Sequence, residues 1–359
     1  MASFPAHPAA VEPDWLSQRL RDAGVLGQGS VTALSWEPIG TGQVGDSVRY
    51  SVEYDRPGAG PATIAGKFPA ADLTSRGTAA AFGLYTKEVG FYRDLRASLD
   101  IRVPRPVVAE VAADGIDFIL LVEDLGPARG GNQLAGCGID DARAAIRQAA
   151  ALHAPSYGNP ALLNRDWLRT GPEAVAQLGT LYPQAQALFR ERYAGLLEPA
   201  LMRVCEDFND AVELWFGREP TAQSLVHGDF RLDNMLFDIH GGAEPIAVLD
   251  WQTVTVGSGL TDIGYFLGCG IGSALRRPYE EELLELYCAE MSQRGVALAR
   301  ADIWDQYRIG ALHGLSTAVF SAAFVERTPR GDENFLSMAR GACELALDHD
   351  SLGALRKGY

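Results

Sequence analysis

The segment LVHGDFRLDNMLFD sets His227, Asp229 and Asn234 in the spacing H-x-D-x-x-x-x-N, and Asp250 follows sixteen residues after Asn234, at the end of the apolar run PIAVLDW. No other stretch of the chain concentrates as much chemistry. It also constrains the fold, because the strand-like runs SLVHGD, NMLFD and PIAVLDW interrupt a region that otherwise carries helical periodicity from about residue 140 onward. Helical stretches are expected at 140–153, 173–196, 198–217, 279–293, 301–325 and 333–347.

The N-terminal part has a different pattern. Residues 31–68 hold three alternating, β-rich runs, VTALSWEPI, SVRYSVEY and ATIAGKF, which predict three antiparallel strands. Residues 78–98 turn helical, and IDFILLV at 116–122 is the continuous apolar run of a buried strand. The expected order is β-β-β-α-β followed by a mainly α part, an α+β chain with a junction at 123–126.

Between the first two runs, GTGQVG places Gly40, Gly42 and Gly45 in the spacing G-x-G-x-x-G, which lets a backbone approach phosphates without Cβ atoms in the way. A dinucleotide fold needs a helix directly after such a loop, but Val48, Tyr50, Val52 and Tyr54 alternate with polar residues. The loop therefore joins two strands, as a phosphate cover or as a plain glycine-rich turn. AGKFP is not a P-loop, since Pro61 and Phe68 occupy positions that need Gly and Ser or Thr.

Lys67 is one of only three lysines, with Lys87 and Lys357, among 31 basic residues. Its place on the strand after the glycine hairpin suits a point charge on nucleotide phosphates, with Glu88 in YTKEVGFY as the acid that positions it. A solvated strand lysine, and a surface pair of Glu88 with Lys87 or Arg93, are the plainer readings. In the H-x-D-x-x-x-x-N segment, Asp229 has the chemistry to orient a hydroxyl and accept its proton. Asn234 and Asp250 are hard-oxygen donors suited to Mg²⁺.

Together these segments resemble the aminoglycoside phosphotransferase and choline kinase superfamily. The resemblance rests on GTGQVG, GKFP, YTKEVGFY, LVEDLG, ALHA, HGDFRLDN, VLDWQ and LTDIGYFL, spread over 39–267, and its spacing is most similar to the ecdysteroid-kinase-like bacterial branch. It implies a protein-kinase-like two-lobe fold, with a nucleotide-binding lobe at 1–125 and a catalytic, substrate-binding lobe at 126–359. It further implies a Mg²⁺-dependent transfer of phosphate from ATP, or alternatively GTP, to a hydroxyl of a small molecule. Backbone groups near Glu123 and Leu125 would hold the adenine. His153, Arg231, Asp233 and Asp262 also sit at recurring positions, where Asp262 is expected to anchor the backbone of the 227–234 loop and the others to be structural.

Other classes fit less well. A formal net charge of −15, spread evenly along the chain, argues against nucleic acid. A protein kinase needs an activation segment, but only eleven residues separate Asp250 from Asp262. A regulatory pseudokinase commonly lacks one of the lysine, base or metal residues, all present here. Phosphorylation of a hydroxyacyl thioester or polyol stays open, because no acceptor-binding residue is legible. Five scattered cysteines without a C-x-x-C pair, and an N-terminal stretch broken by Pro5, Pro8 and Pro13, predict a cytoplasmic protein with reduced thiols and no membrane span.

Overall fold

The computed structural model describes residues 4–40, 45–169, 171–219, 222–325 and 327–358. Helix α1 (Pro13–Asp22) precedes β1 (Val31–Pro38), β2 (Gly45–Tyr54), β3 (Thr63–Pro69), α2 (Leu73–Ala81), α3 (Leu84–Gly90), β4 (Pro106–Val111) and β5 (Phe118–Glu123). The five strands form one antiparallel sheet in the order β1-β2-β3-β5-β4.

The register of this sheet decides which side chains meet. Ile64 and Phe68 of β3 and Ile119 and Leu121 of β5 pack beneath α1 with Leu16 and Leu20. Phe118, Leu120 and Val122 point to the other face, into a core with Tyr85 and Val89 of α3, where Tyr85 stacks on Phe118 at 4.3 Å. Both faces of β5 are therefore covered, which is why IDFILLV carries no polar alternation. Odd-numbered Lys67 shares the α3 face with Ala65, a direct result of period-2 geometry.

Two expectations need correction here. Strand β4 was not anticipated, because PVVAEV at the sheet edge is only partly buried and lacks a clear alternation. The helical run at 78–98 is broken at Gly83, whose φ of +66° ends α2 before α3 begins, and it finishes in a π turn at Phe91–Leu95.

The rest of the chain is mostly helical. Strand β6 (Arg129–Gly130) leads to α4 (Ile139–Ser156), α5 (Pro160–Leu163), α6 (Pro172–Tyr193), α7 (Pro199–Asn209) and α8 (Val212–Gly217). Then come β7 (Ser224–Val226), β8 (Met235–Asp238), the one-turn α9 (Ile239–Gly242), β9 (Glu244–Val248) and β10 (Thr255–Gly257). Helices α10 (Leu260–Tyr265), α11 (Gly272–Gln293), α12 (Arg300–Phe324), α13 (Pro329–Asp348) and α14 (Ser351–Lys357) complete the fold. The single helix expected at 198–217 is two. Helix α11 starts seven residues before the expected 279, running through Pro278, because its first turn is tied down by the fully buried Arg276 paired with Glu280 and Asp348.

Helix α10 lies against α12 through glycines. A Cβ at Gly310 would stand 2.3 Å from the Leu260 carbonyl oxygen, and one at Gly264 would stand 2.6 Å from the Ala311 nitrogen. We expect Gly310→Val to cost about 3 kcal/mol, since the clash is with backbone that cannot rotate away. Urea denaturation of the variant checks this.

Candidate functional site

The start of the 227–234 loop is held by a set of hydrogen bonds to its peptide groups. His227 N–H donates to Asp262 Oδ2 at 2.7 Å and Gly228 N–H to Oδ1 at 3.0 Å. The His227 carbonyl accepts from Thr253 Oγ1 at 2.8 Å, and the Gly228 carbonyl from His313 Nε2 at 2.7 Å. His227 Nε2 donates to the Leu249 carbonyl at 2.9 Å, so its Nδ1 is free to accept from Asp229 N–H at 3.2 Å. Gly228 has a φ of +82°, and a Cβ there would approach the Thr253 carbonyl oxygen to 2.7 Å, so only glycine fits.

Asp262 is fully buried and also meets His153 Nε2 at 3.2 Å, while His153 Nδ1 faces the Tyr287 hydroxyl at 3.0 Å. Burial works against its charge, but His153 and the loop amides outweigh it and leave the carboxyl below the usual carboxylate range. Asp262 thus clamps the loop, as the sequence suggested, and His153 supports it.

The loop presents Asp229 in a defined state. Its carboxylate accepts from Arg231 Nε at 2.9 and 3.1 Å, from the Tyr265 hydroxyl at 2.8 Å and from Asn234 Nδ2 at 2.8 Å. Burial raises its pKa, yet the Arg231 charge and the Tyr265 hydroxyl more than offset this, so it stays ionised. Asn234 Nδ2 also donates to the Asp229 carbonyl at 2.9 Å, which leaves Oδ1 as the atom the amide has to offer. The β8–β9 hairpin pairs Met235 with Val248, and Leu249 N–H donates to the Asn234 carbonyl, so Asn234 and Asp250 emerge at one end.

Asp250 sits in the left-handed region at φ +63°. Its Oδ1 lies 2.8 Å from Lys67 Nζ, which also reaches Glu88 at 2.9 Å to Oε1 and 2.7 Å to Oε2. One lysine from β3 thus joins a carboxylate of α3 to one at the end of β9. Glu88 is 2% exposed; burial pushes its pKa up against the pull of Lys67, while the two carboxylates keep Lys67 protonated. Trp251, next to Asp250, stacks on Phe91 at 3.6 Å and 2°, tying this strand end to the segment after α3.

The family model described as "Phosphotransferase enzyme family" matches residues 75–304. The chain belongs to the phosphotransferase enzyme family. Its fold is shared with solved structures of low identity. A candidate aminoglycoside phosphotransferase from Ralstonia eutropha JMP134 has 17% identity and a TM-score of 0.54 over 94% of this chain and 99% of that one. Choline kinase from Cryptosporidium parvum Iowa II has 12% identity and a TM-score of 0.53, covering 89% and 91%. Spectinomycin phosphotransferase in complex with ADP and spectinomycin has 13% identity and a TM-score of 0.51, covering 95% and 99%.

Curated relatives match locally. Acyl-CoA dehydrogenase family member 11 of Gallus gallus is 35% identical over 82 residues, 18% of this chain and 10% of that protein. Family member 10 of Mus musculus is 52% identical over 42 residues, 12% of this chain and 4% of that protein. The matches span a tenth or less of these relatives' length.

The remaining positions singled out in the sequence have the following surroundings. Gly40, two residues past β1, has a φ of +73°, and a Cβ on Gly45 would press on the Phe68 carbonyl at 3.1 Å and Lys67 Cε at 3.4 Å; Gly42 lies outside the described residues. The Glu123 side chain is bound by Arg102, Arg105 and His240, at 3.0, 3.0 and 3.1 Å; burial opposes its charge, but the two arginines hold it down to about 2. Leu125 is buried and its carbonyl accepts from His240 N–H. Sequence reasoning missed two contacts. Tyr265 follows Asp262 by one helical turn, a spacing that a reading of LTDIGYFL had available. His313 is a lone histidine in a long helix, and nothing in its neighbourhood marks it.

The Asp262 carboxylate has a folded pKa below its unfolded value near 4, so its contribution to stability is present above about pH 4 and disappears as pH falls through the folded value. Asp262→Asn removes it. We expect a loss of about 3 kcal/mol at pH 7 and a smaller difference from the parent as pH drops below 4, measured by denaturant titration across pH.

Proposed function

We propose that the protein transfers the γ-phosphoryl group of ATP to a hydroxyl of a small molecule, in a cleft between a nucleotide lobe at 1–125 and an acceptor lobe at 126–359. The observation that carries this reading is the pairing of two assemblies. Lys67, Glu88 and Asp250 form one, and Asp229 with Asn234 on the clamped 227–234 loop forms the other.

In this reading the hairpin bearing Gly40, Gly42 and Gly45 covers the phosphates, and Lys67, positioned by Glu88, neutralises them. The Glu123 amide is already donated to the Arg105 carbonyl and the Leu125 carbonyl is already accepting, so the base would use the Glu123 carbonyl and the Leu125 amide. Asp229 is ionised, fixed by three donors and set to orient the acceptor hydroxyl and take its proton as the bond to phosphorus forms.

The donor set fits magnesium. Asp250 supplies an anionic oxygen and Asn234 Oδ1 a neutral one, and Mg²⁺ commonly takes only one or two protein oxygens, completing its shell with phosphate and water. When bound, the ion would neutralise charge on the phosphates. Among the described residues no cluster of three His, Cys, Asp or Glu side chains offers a metal an all-protein cage.

A second reading, phosphorylation of a hydroxyacyl thioester, is favoured by the local identity to proteins named acyl-CoA dehydrogenase family members. The five free cysteines agree with a cytoplasmic enzyme, and among the described residues no helix is long and apolar enough to cross a membrane.

Asp229→Asn should lower turnover by about two or more orders of magnitude while leaving nucleotide affinity in place. The assay is acceptor-dependent consumption of ATP over a panel of hydroxyl-bearing metabolites and aminoglycosides, with the variant as blank; equal turnover would sink the assignment. Asp250→Ala should abolish the metal-dependent part of ATP affinity, read by calorimetry with and without Mg²⁺.

A further inference from the structure

One cation serves two carboxylates on the strand that follows the glycine hairpin. Lys67 Nζ lies 2.8 Å from Asp250 Oδ1 and 2.9 and 2.7 Å from the two oxygens of Glu88. Among the described residues neither carboxylate has a second basic partner, so the assembly carries one negative charge in excess. Arg231 and Arg330 are engaged with Asp229 and Asp233 and do not correct this. The hairpin meets the same lysine, since a Cβ on Gly45 would stand 3.4 Å from Lys67 Cε.

The two carboxylates do not hold the lysine equally. The Glu88 side chain is 2% exposed, so losing Lys67 would leave a buried charge without its cation. The Asp250 side chain is 29% exposed and can be hydrated where it stands. Its backbone is fixed on both sides: Leu249 N–H donates to the Asn234 carbonyl, and Trp251 stacks on Phe91 at 3.6 Å. Gln252 Nε2 adds a contact of 3.3 Å to Asp250 Oδ2. A phosphate that takes Lys67 therefore displaces Asp250 and not Glu88. The displaced carboxylate stays beside the phosphate as a like charge unless a divalent cation neutralises it.

From this exchange we infer that Asp250 selects the form of the nucleotide: by holding Lys67 it bars the metal-free nucleotide and admits only the complex with a divalent cation. The inference rests on the phosphotransfer reading for the presence of a nucleotide at Lys67. It goes beyond that reading, because a residue that only ligated metal would be silent when metal is absent. Removing the Asp250 charge should instead act in opposite directions, strengthening nucleotide binding without metal and weakening it with metal.

The test is calorimetric titration of the full chain with adenosine and with ADP, each in EDTA and in excess Mg²⁺. In EDTA the parent should bind ADP no more tightly than adenosine, whereas in Mg²⁺ the diphosphate should add about tenfold or more. Asp250→Asn keeps the side-chain shape and tolerates the left-handed backbone at φ +63°. It should bind metal-free ADP about tenfold more tightly than the parent does, as one freed charge-assisted contact allows, with adenosine affinity unchanged as the control for folding. Tighter binding of ADP than of adenosine by the parent in EDTA overturns the inference and needs no variant. So does an Asp250→Asn chain that gains nothing for ADP in EDTA. Either result, with ADP binding intact in Mg²⁺, leaves the phosphotransfer reading standing. A parent chain that binds neither adenosine nor ADP in Mg²⁺ overturns both.

Discussion

One buried carboxylate organises the mainly helical half of the molecule. Asp262 takes the backbone amides of His227 and Gly228 on its two oxygens, and His153 from α4 on one of them. A charge with no exposure survives there because every lone-pair direction that matters meets a donor. The same short helix carries Tyr265 one turn later, so the element that clamps the loop also places a donor on Asp229. Helix α10 keeps its position because Gly264 and Gly310 let it meet α12 at backbone distance. Loop shape and the ionisation of Asp229 therefore both depend on how closely two helices approach.

The second assembly depends on strand parity. Lys67 faces α3 because it is one residue out of step with Gly66 and Phe68, whose side of the sheet belongs to the α1 core. A shift of one residue in β3 would bury the lysine under α1 and present an apolar side chain to Glu88. The contact from Lys67 to Asp250 joins residues 183 apart in sequence, and with the Phe91–Trp251 stack it ties the sheet to the β8–β9 hairpin. The Lys67 ammonium and the Asp250 carboxylate are thus satisfied by each other in the structure.

Charge is divided between two assemblies. In the first, one lysine is shared by two carboxylates. In the second, the Asp229 and Asp233 carboxylates are matched by Arg231 and Arg330. For a chain of formal charge −15 this local matching is not visible in composition, which averages over surfaces that never meet.

Much of this was legible in the sequence. The H-x-D-x-x-x-x-N spacing, the glycine hairpin between alternating strands and the single lysine on the third strand all depend on local chemistry and short periods, which a linear chain displays directly. The α+β division and the family followed from them. Strand β4 escaped because an edge strand is half solvated and lacks alternation, and the break at Gly83 because a glycine inside a helical pattern does not announce a left-handed turn. What only the tertiary structure decided is which distant groups meet: Lys67 with Asp250, Asp262 with His153, and Tyr265 with Asp229. Those pairings are set by strand register and by backbone-to-backbone helix contact, and neither quantity is a property of any short segment of the sequence.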